Sequence, residues 1–194
     1  MLSRMNGHRT LSRQRFALAG IRRRLAGFAR AEDGAAAVET ALVATPFFLL
    51  VFGILQLAII FLASASLENA MQKAARTVRT GELQTGAAPT QAAFKQAICN
   101  NWGWLQSSCM SDLYVDVRTF SSFQTVTAPQ PLTNGTFDPN VLQFSPGGPN
   151  DVVVVHAYYQ WPLIAPGMDQ ALANLNGGKM LMTSTSTFRN EPYA

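Results

Sequence analysis

Between residues 40 and 67 the chain has no Asp, Glu, Lys or Arg; Thr40, Thr45, Pro46, Gly53, Gln56, Ser64 and Ser66 are the only breaks in a run of Leu, Ile, Val, Phe and Ala. As a helix that run would extend about 42 Å at 1.5 Å per residue, more than the roughly 30 Å of a bilayer's hydrocarbon core. It is therefore expected to cross a membrane. The overall composition agrees, since charged residues make up 13% of the chain, about half the share usual in soluble domains.

Charge is unevenly placed around this run. Arg4, Arg9, Arg13, Arg15, Arg22, Arg23, Arg24 and Arg30 all precede Gly34 and are opposed there only by Glu32 and Asp33, while the whole chain has a formal charge of +4. A basic leader thus precedes a slightly acidic remainder. Arginines on the N-terminal side orient a spanning helix with that end in the cytoplasm, so residues 68–194 are expected outside. The leader has only Phe16 and Phe28 for base stacking and no binding motif, which argues against a nucleic-acid partner. A cleaved secretory signal ending at Ala63-Ser64-Ala65 is the rival for the apolar run, but such signals have apolar cores of about 7 to 15 residues.

Gly34 is followed by Ala35, Ala36, Ala37, Val38 and Glu39, which resembles the prepilin-peptidase site of type IV pilin-like proteins: a basic leader, a glycine, a cut, and a glutamate at the fifth mature position. The longer stretch GAAAVETALVATPFFLLVFGILQ is similar to the N-terminal signature of TadE-like proteins, the pseudopilins of the tight-adherence (Tad/Flp) pilus system. Gly34, Ala36, Ala37, Val38, Glu39, Ala41, Leu42, Pro46, Phe52 and Gly53 stand where that pattern expects them. Thr40 replaces an aromatic residue of the pattern, and Gln56 stands where the family often has a glutamate. The resemblance covers roughly residues 33–79 and implies cleavage between Gly34 and Ala35. It also implies a bacterial inner-membrane location with a periplasmic head. The implied partners are a prepilin peptidase, other pseudopilins, the major Flp pilin and the membrane assembly platform.

The spacing also has a chemical rationale. A carboxylate near a bilayer interior costs on the order of 2.5–3.5 kcal/mol unless paired. Cleavage before Ala35 would release an α-amino group, with a reference pKa of about 7.7–8.0, able to pair with Glu39 of the same or a neighbouring subunit. As in pilins, the resemblance implies the inter-subunit pair, which makes Glu39 an assembly charge. The plainer alternative is an acid in the first helical turn, favoured there by the macrodipole. Pro46 removes one backbone hydrogen bond and predicts a local kink. Gln56, the only amide in the segment, either bonds across to another helix or is passive.

Beyond the lipid, Leu67, Ala70, Met71, Ala74, Ala75 and Val78 fall on one helical face, with Glu68, Asn69, Gln72, Lys73, Arg76 and Arg79 elsewhere. The pattern predicts one helix over residues 35–80, stopped by Gly81, with its outer stripe offered to the following domain or to another subunit. The stretch GELQTGAAP reads as a linker. Thr90 is placed to cap a short helix through about Asn100. Cys99 and Cys109, with nine residues between them, are expected to form a disulfide on the oxidising side of the membrane. No metal site is expected, since the only histidines are His8 and His156.

Residues 113–119 alternate, with Leu113, Val115 and Val117 inward; residues 151–162 and 179–190 read as two further strands, and Asn134-Gly135 as a tight hairpin. The stretch LIAPGMDQALANLNGG between them reads as a loop with a turn or two of helix. The expected fold is thus α+β and pilin-like: a basic leader (1–34), a long helix (35–80) with its transmembrane part at 40–67, and a periplasmic domain (81–194). That domain would hold a short helix and an antiparallel sheet of about three strands.

No nucleophile elbow, phosphate loop, metalloprotease motif or paired carboxylates in a cleft occurs, so neither catalysis nor a cofactor nor a small-molecule substrate is expected. Asp112 and Asp116 read as solvated edge charges and His156 as a satisfied sheet histidine. Trp102, Trp104 and Trp161 read as core, with Trp102 and Trp104 alternatively forming a partner surface. Against the pseudopilin stands one rival of another class, an uncleaved signal-anchored periplasmic module that binds or hydrolyses.

Overall fold

The computed structural model of the protein describes residues 32–86 and 89–193. Residues 1–31 of the basic leader lie outside them. The chain divides into two compact units, Met1–Val51 and Phe52–Ala194. Helix α1, Glu32–Arg79, supplies the described part of the first and opens the second.

The division falls within the apolar run because packing begins there. Gly53, Gln56, Ile60, Ala63, Leu67, Ala70, Met71, Ala74, Ala75 and Val78 are buried in a stripe of three- and four-residue steps, the period of one helical face. The predicted stripe of 67–78 therefore starts almost four turns earlier. Gly81 ends the helix in the left-handed region at φ 80°, where its missing Cβ leaves room for the Tyr193 ring. The chain's end closes over the same point, with Glu191 N–H donating to the Arg79 carbonyl at 2.8 Å.

After α1 come a one-turn α2, Glu82–Thr85, then α3, Gln91–Asn101, a 3₁₀ turn, Gly103–Leu105, and α4, Gln106–Asp112. Thr90 caps α3 as its position predicts, its hydroxyl accepting from Ala93 N–H at 3.2 Å. The sheet has three antiparallel strands in the order β1 (Leu113–Phe120), β4 (Val152–Pro162), β5 (Lys179–Arg189). The small hairpin β2 (Leu132–Thr133) and β3 (Thr136–Phe137) turns at Asn134 and Gly135, both at positive φ, the geometry an Asn-Gly pair favours. One helical turn, α5 (Asp169–Leu172), precedes β5.

Strand β4 lies between the other two and is buried on both faces over most of its length, which is why it reads as a near-continuous apolar run. One face, Val153, Val155, Ala157, Tyr159 and Trp161, joins Leu113, Val115 and Val117 of β1 and Met182 of β5 in the core that also holds the α1 stripe, Phe94, Ile98 and Trp102. On the opposite face Tyr158, Leu175 and Leu181 pack with Tyr114, Leu132 and Phe137. Leu181 and Met182 thus take opposite faces as strand alternation requires.

Two sequence readings are corrected. Asp116 is not a solvated edge charge: its side chain is fully buried, takes Arg118 Nε on both oxygens at 3.0 and 2.9 Å, and accepts from Gln143 N–H at 2.7 Å. Arg118 Nη2 in turn donates to the Val141 carbonyl at 2.7 Å. The pair ties residues 141–143 to β1, and a buried carboxylate persists because its lone pairs are satisfied. Asp112 is the last residue of α4 rather than part of β1. Among the tryptophans, Trp102 and Trp161 are core, but Trp104 is 56% exposed. The two are separated by Gly103, at φ 63°, and pack on residues of β4, Trp102 on Tyr159 and Trp104 on Trp161.

Candidate processing and assembly site

Gly34, Ala35 and Glu39 all lie in α1, so the peptide bond between Gly34 and Ala35 sits within the helix's first turns. Ala35 and Glu39 are exposed, as are Val38, Leu42, Val43 and Phe47. Glu39, Thr40, Val43, Ala44 and Phe47 line a shallow open concavity, the i, i+4, i+8 face of the helix with a carboxylate at one end. No cation lies within ion-pair distance of Glu39 among the described residues. The arrangement presents one acid above an apolar ridge. It is suited to receive a positive group whose own helix packs alongside.

Polar groups elsewhere in the helix look after themselves. Thr40 and Thr45 hydroxyls donate back to the Ala36 and Ala41 carbonyls, each at 2.8 Å, which removes the need for a partner in an apolar medium. The helix continues through Pro46 without interruption. By length and composition α1 can cross a membrane.

Gln56 neither reaches another helix nor stays passive. It is buried, and its Oε1 accepts from the backbone N–H groups of Ile164 and Ala165, both at 3.2 Å. A single side chain thereby fixes the loop between β4 and α5 against α1. Gln56→Leu keeps the bulk and removes the acceptor, so hydrogen exchange at the Ile164 and Ala165 amides is expected to accelerate while β4 amides keep their protection. The cost is expected to be about 1–2 kcal/mol, the usual penalty for stranding such donors at a partly wet site.

Cys99 and Cys109 are joined by a disulfide with Cα atoms 5.5 Å apart. Both are buried, so the bond ties α3 to α4 inside the core. His156 is satisfied at one nitrogen only: Nδ1 pairs with the Thr185 hydroxyl at 2.9 Å, while Nε2 is buried without a partner. Burial pushes its pKa below the ordinary value, the Asp116 carboxylate pulls the other way and the Arg118 guanidinium adds to the lowering. Burial likewise pushes the neighbouring Tyr158 hydroxyl up to about 12.

For a histidine held neutral in the fold, the unfolded chain takes the proton first as pH falls. Stability present above the unfolded value of about 6.5 is then lost below it until the folded value is reached. The thermal midpoint of the detergent-solubilised chain is therefore expected to fall between about pH 7.5 and 5.5, and to fall less in His156→Gln.

Gly34, Ala35 and Glu39 are candidates named from the sequence alone, which missed the Gln56 contact and the Asp116–Arg118 pair. The latter had a signal, because residues two apart on a strand share a face and these two carry opposite charge.

No curated protein and no solved structure matches the chain. Residues 34–76 match the family model described as TadE-like protein, a match that begins at Gly34, takes in Glu39 and Gln56, and ends at Arg76. The helix that presents Gly34, Ala35 and Glu39 therefore lies in a segment similar to TadE-like proteins.

Proposed function

We propose that the protein is a minor pseudopilin of a tight-adherence pilus, held in the bacterial inner membrane by α1 with its head in the periplasm. A prepilin peptidase hydrolyses the bond between the Gly34 carbonyl and the Ala35 nitrogen, releasing residues 1–34 and leaving a free α-amine on Ala35. The observation that carries this reading is the spacing Gly34, Ala35, Glu39 at the start of a membrane-length apolar helix, in the segment that matches the TadE-like family. Glycine suits the scissile position, since it is the weakest helix former after proline and lets the first turn open for the peptidase.

In the assembled state the Ala35 ammonium of one subunit meets Glu39 of a neighbour, whose helix seats against Val43 and Phe47. Partners are then the peptidase, related pseudopilins, the major Flp pilin, the assembly platform and membrane lipid. The head is a structural and contact module rather than an enzyme, and the chain takes part in chemistry only as the peptidase's substrate.

Intact mass of the membrane-extracted protein tests the proposal. A chain beginning at Ala35 is expected from wild type and an uncut chain from Gly34→Ala. A wild-type chain that retains its leader in piliated cells would overturn the reading in favour of a signal-anchored module.

A further inference from the structure

The loop that Gln56 holds has an unusual surface. Residues 161–168, WPLIAPGM, contain no charge, and Ile164 is 80% exposed, the most exposed of the large apolar side chains described. Trp104 stands close by, its ring packed edge-on against Trp161 at 6.3 Å, with more than half of its surface bare. On α1, in the same unit, Leu55, Ile59, Phe61 and Leu62 are also exposed. The loop touches the helix at two successive turns. Gln56 accepts from Ile164 and Ala165, and the Met168 sulfur lies 3.6 Å from where a Cβ on Gly53 would stand.

Its backbone is prepared for an environment short of water. Leu163 N–H donates to the Gly178 carbonyl and Met168 N–H to that of Ala165. Ile164 and Ala165 donate to Gln56, and Pro166 has no N–H. Of the loop's backbone donors only the Gly167 N–H makes no bond among the described residues, and the Trp161 indole N–H is buried without a partner. Irregular backbone is tolerated at membrane depth only when its polar groups are satisfied by protein.

We propose that this loop is a lipid-facing foot: Ile164 enters the headgroup–acyl boundary on the head's side of the bilayer, with Trp104, packed on Trp161, as an interfacial anchor. The proposal rests on the reading of α1 as a spanning helix. About 20 apolar residues suffice to cross, and counted from Thr40, where the charge-free run begins, that length ends at Ile59, one turn past the amide that grips the loop. A glutamine at that level stands at the edge of the hydrocarbon and supplies an acceptor where the head begins. Tryptophan is enriched at this depth because its ring is apolar and its N–H is not. Lipid is the occupant favoured here by continuity, since the exposed residues of α1 on either side of the clasp belong to the apolar run that continues into the membrane.

The test uses the full chain in vesicles of phosphatidylcholine and phosphatidylglycerol. The native cysteines are joined to each other, so a single introduced thiol takes a nitroxide label. Labels at Ile164→Cys, Val43→Cys and Asn140→Cys are compared for collision with oxygen and with a water-soluble nickel chelate. The expected result is that the label at 164 loses nickel collisions relative to that at 140 and gains oxygen collisions, at a depth shallower than that at 43. A label at 164 as open to nickel as that at 140, with that at 43 still in lipid, overturns the foot and leaves the spanning helix intact. A label at 164 shielded from both reagents marks a protein neighbour and overturns lipid as the occupant. Nickel access at 43 overturns the spanning helix and the foot together.

Discussion

Trp102→Ala is expected to destabilise the head by about 3–5 kcal/mol, the range for emptying a large aromatic site in a packed core. Trp102 is 1% exposed at the C-terminal end of α3, where three elements meet. Its Nε1 donates to the Ser66 hydroxyl of α1 at 2.8 Å, and its ring meets Tyr159 of β4 edge-on at 4.6 Å. Truncation removes the ring's buried area, the aromatic contact and the bond to Ser66 together. The Ser66 hydroxyl keeps its own bond to the Ala63 carbonyl at 3.0 Å, so it is not fully stranded. Trp102→Phe should therefore lose only about 1–2 kcal/mol, for the hydrogen bond and part of the volume. Trp104→Ala provides the contrast, because more than half of that side chain is already outside the core; its cost is expected to stay below about 1 kcal/mol. Denaturant midpoints of the three variants in detergent separate these cases. Equal losses at 102 and 104 would mean that Trp102 is not the joint between α1, α3 and the sheet.

The contrast between these neighbours also indicates what a sequence can tell and what it cannot. Side-chain alternation reveals β1 and β5, and a continuous apolar run reveals β4, because burial on one face or on two leaves different patterns. The α1 stripe is legible from Leu67 to Val78, where Glu68, Lys73 and Arg76 supply contrast. It is illegible from Gly53 to Ala63, where the faces packed against protein and the faces left bare are written in the same residues. Lipid and protein interior ask for similar side chains, so where the head first touches the helix is visible only in three dimensions. Gln56 was the one available mark of that point, and its partners are backbone groups more than a hundred residues away, which no local pattern indicates. Trp104 was lost for a different reason. A residue's type suggests burial, but Trp104 lies in a 3₁₀ turn with its ring against Trp161 and more than half of its surface outside the core. The candidate residues Gly34, Ala35 and Glu39 form a linear segment, so they can be named without a fold.

Glu39→Ala is expected to leave anchoring and cleavage at wild-type levels while sharply reducing piliation. Removing a carboxylate near lipid makes insertion easier, by about 2.5–3.5 kcal/mol on insertion scales, so any defect cannot come from poorer anchoring. Close charge pairs across interfaces have coupling energies of about 1.5–7 kcal/mol; a loss of about 3 kcal/mol would weaken docking of one subunit on the next roughly a hundredfold. The competing role, an acid complementing the helix dipole, involves only about 0.3–1 kcal/mol and predicts near-normal pili. Glu39→Gln distinguishes the two further, because an amide keeps a hydrogen bond to a neighbour's amine but not the charge. If the partner is the ammonium freed at Ala35, then Gly34→Ala removes the other half of the same pair. The double variant should therefore assemble no worse than the poorer single one, since two changes that abolish one interaction do not add. Additive defects would instead assign Glu39 a partner other than the new amino terminus. Glu39 is exposed above Val43 and Phe47 with no cation at ion-pair distance among the described residues, and the proposed ammonium can be that of another subunit or of the chain's own processed end. An intramolecular pair survives dilution and leaves docking affinity unchanged, so concentration dependence of assembly in detergent separates the two.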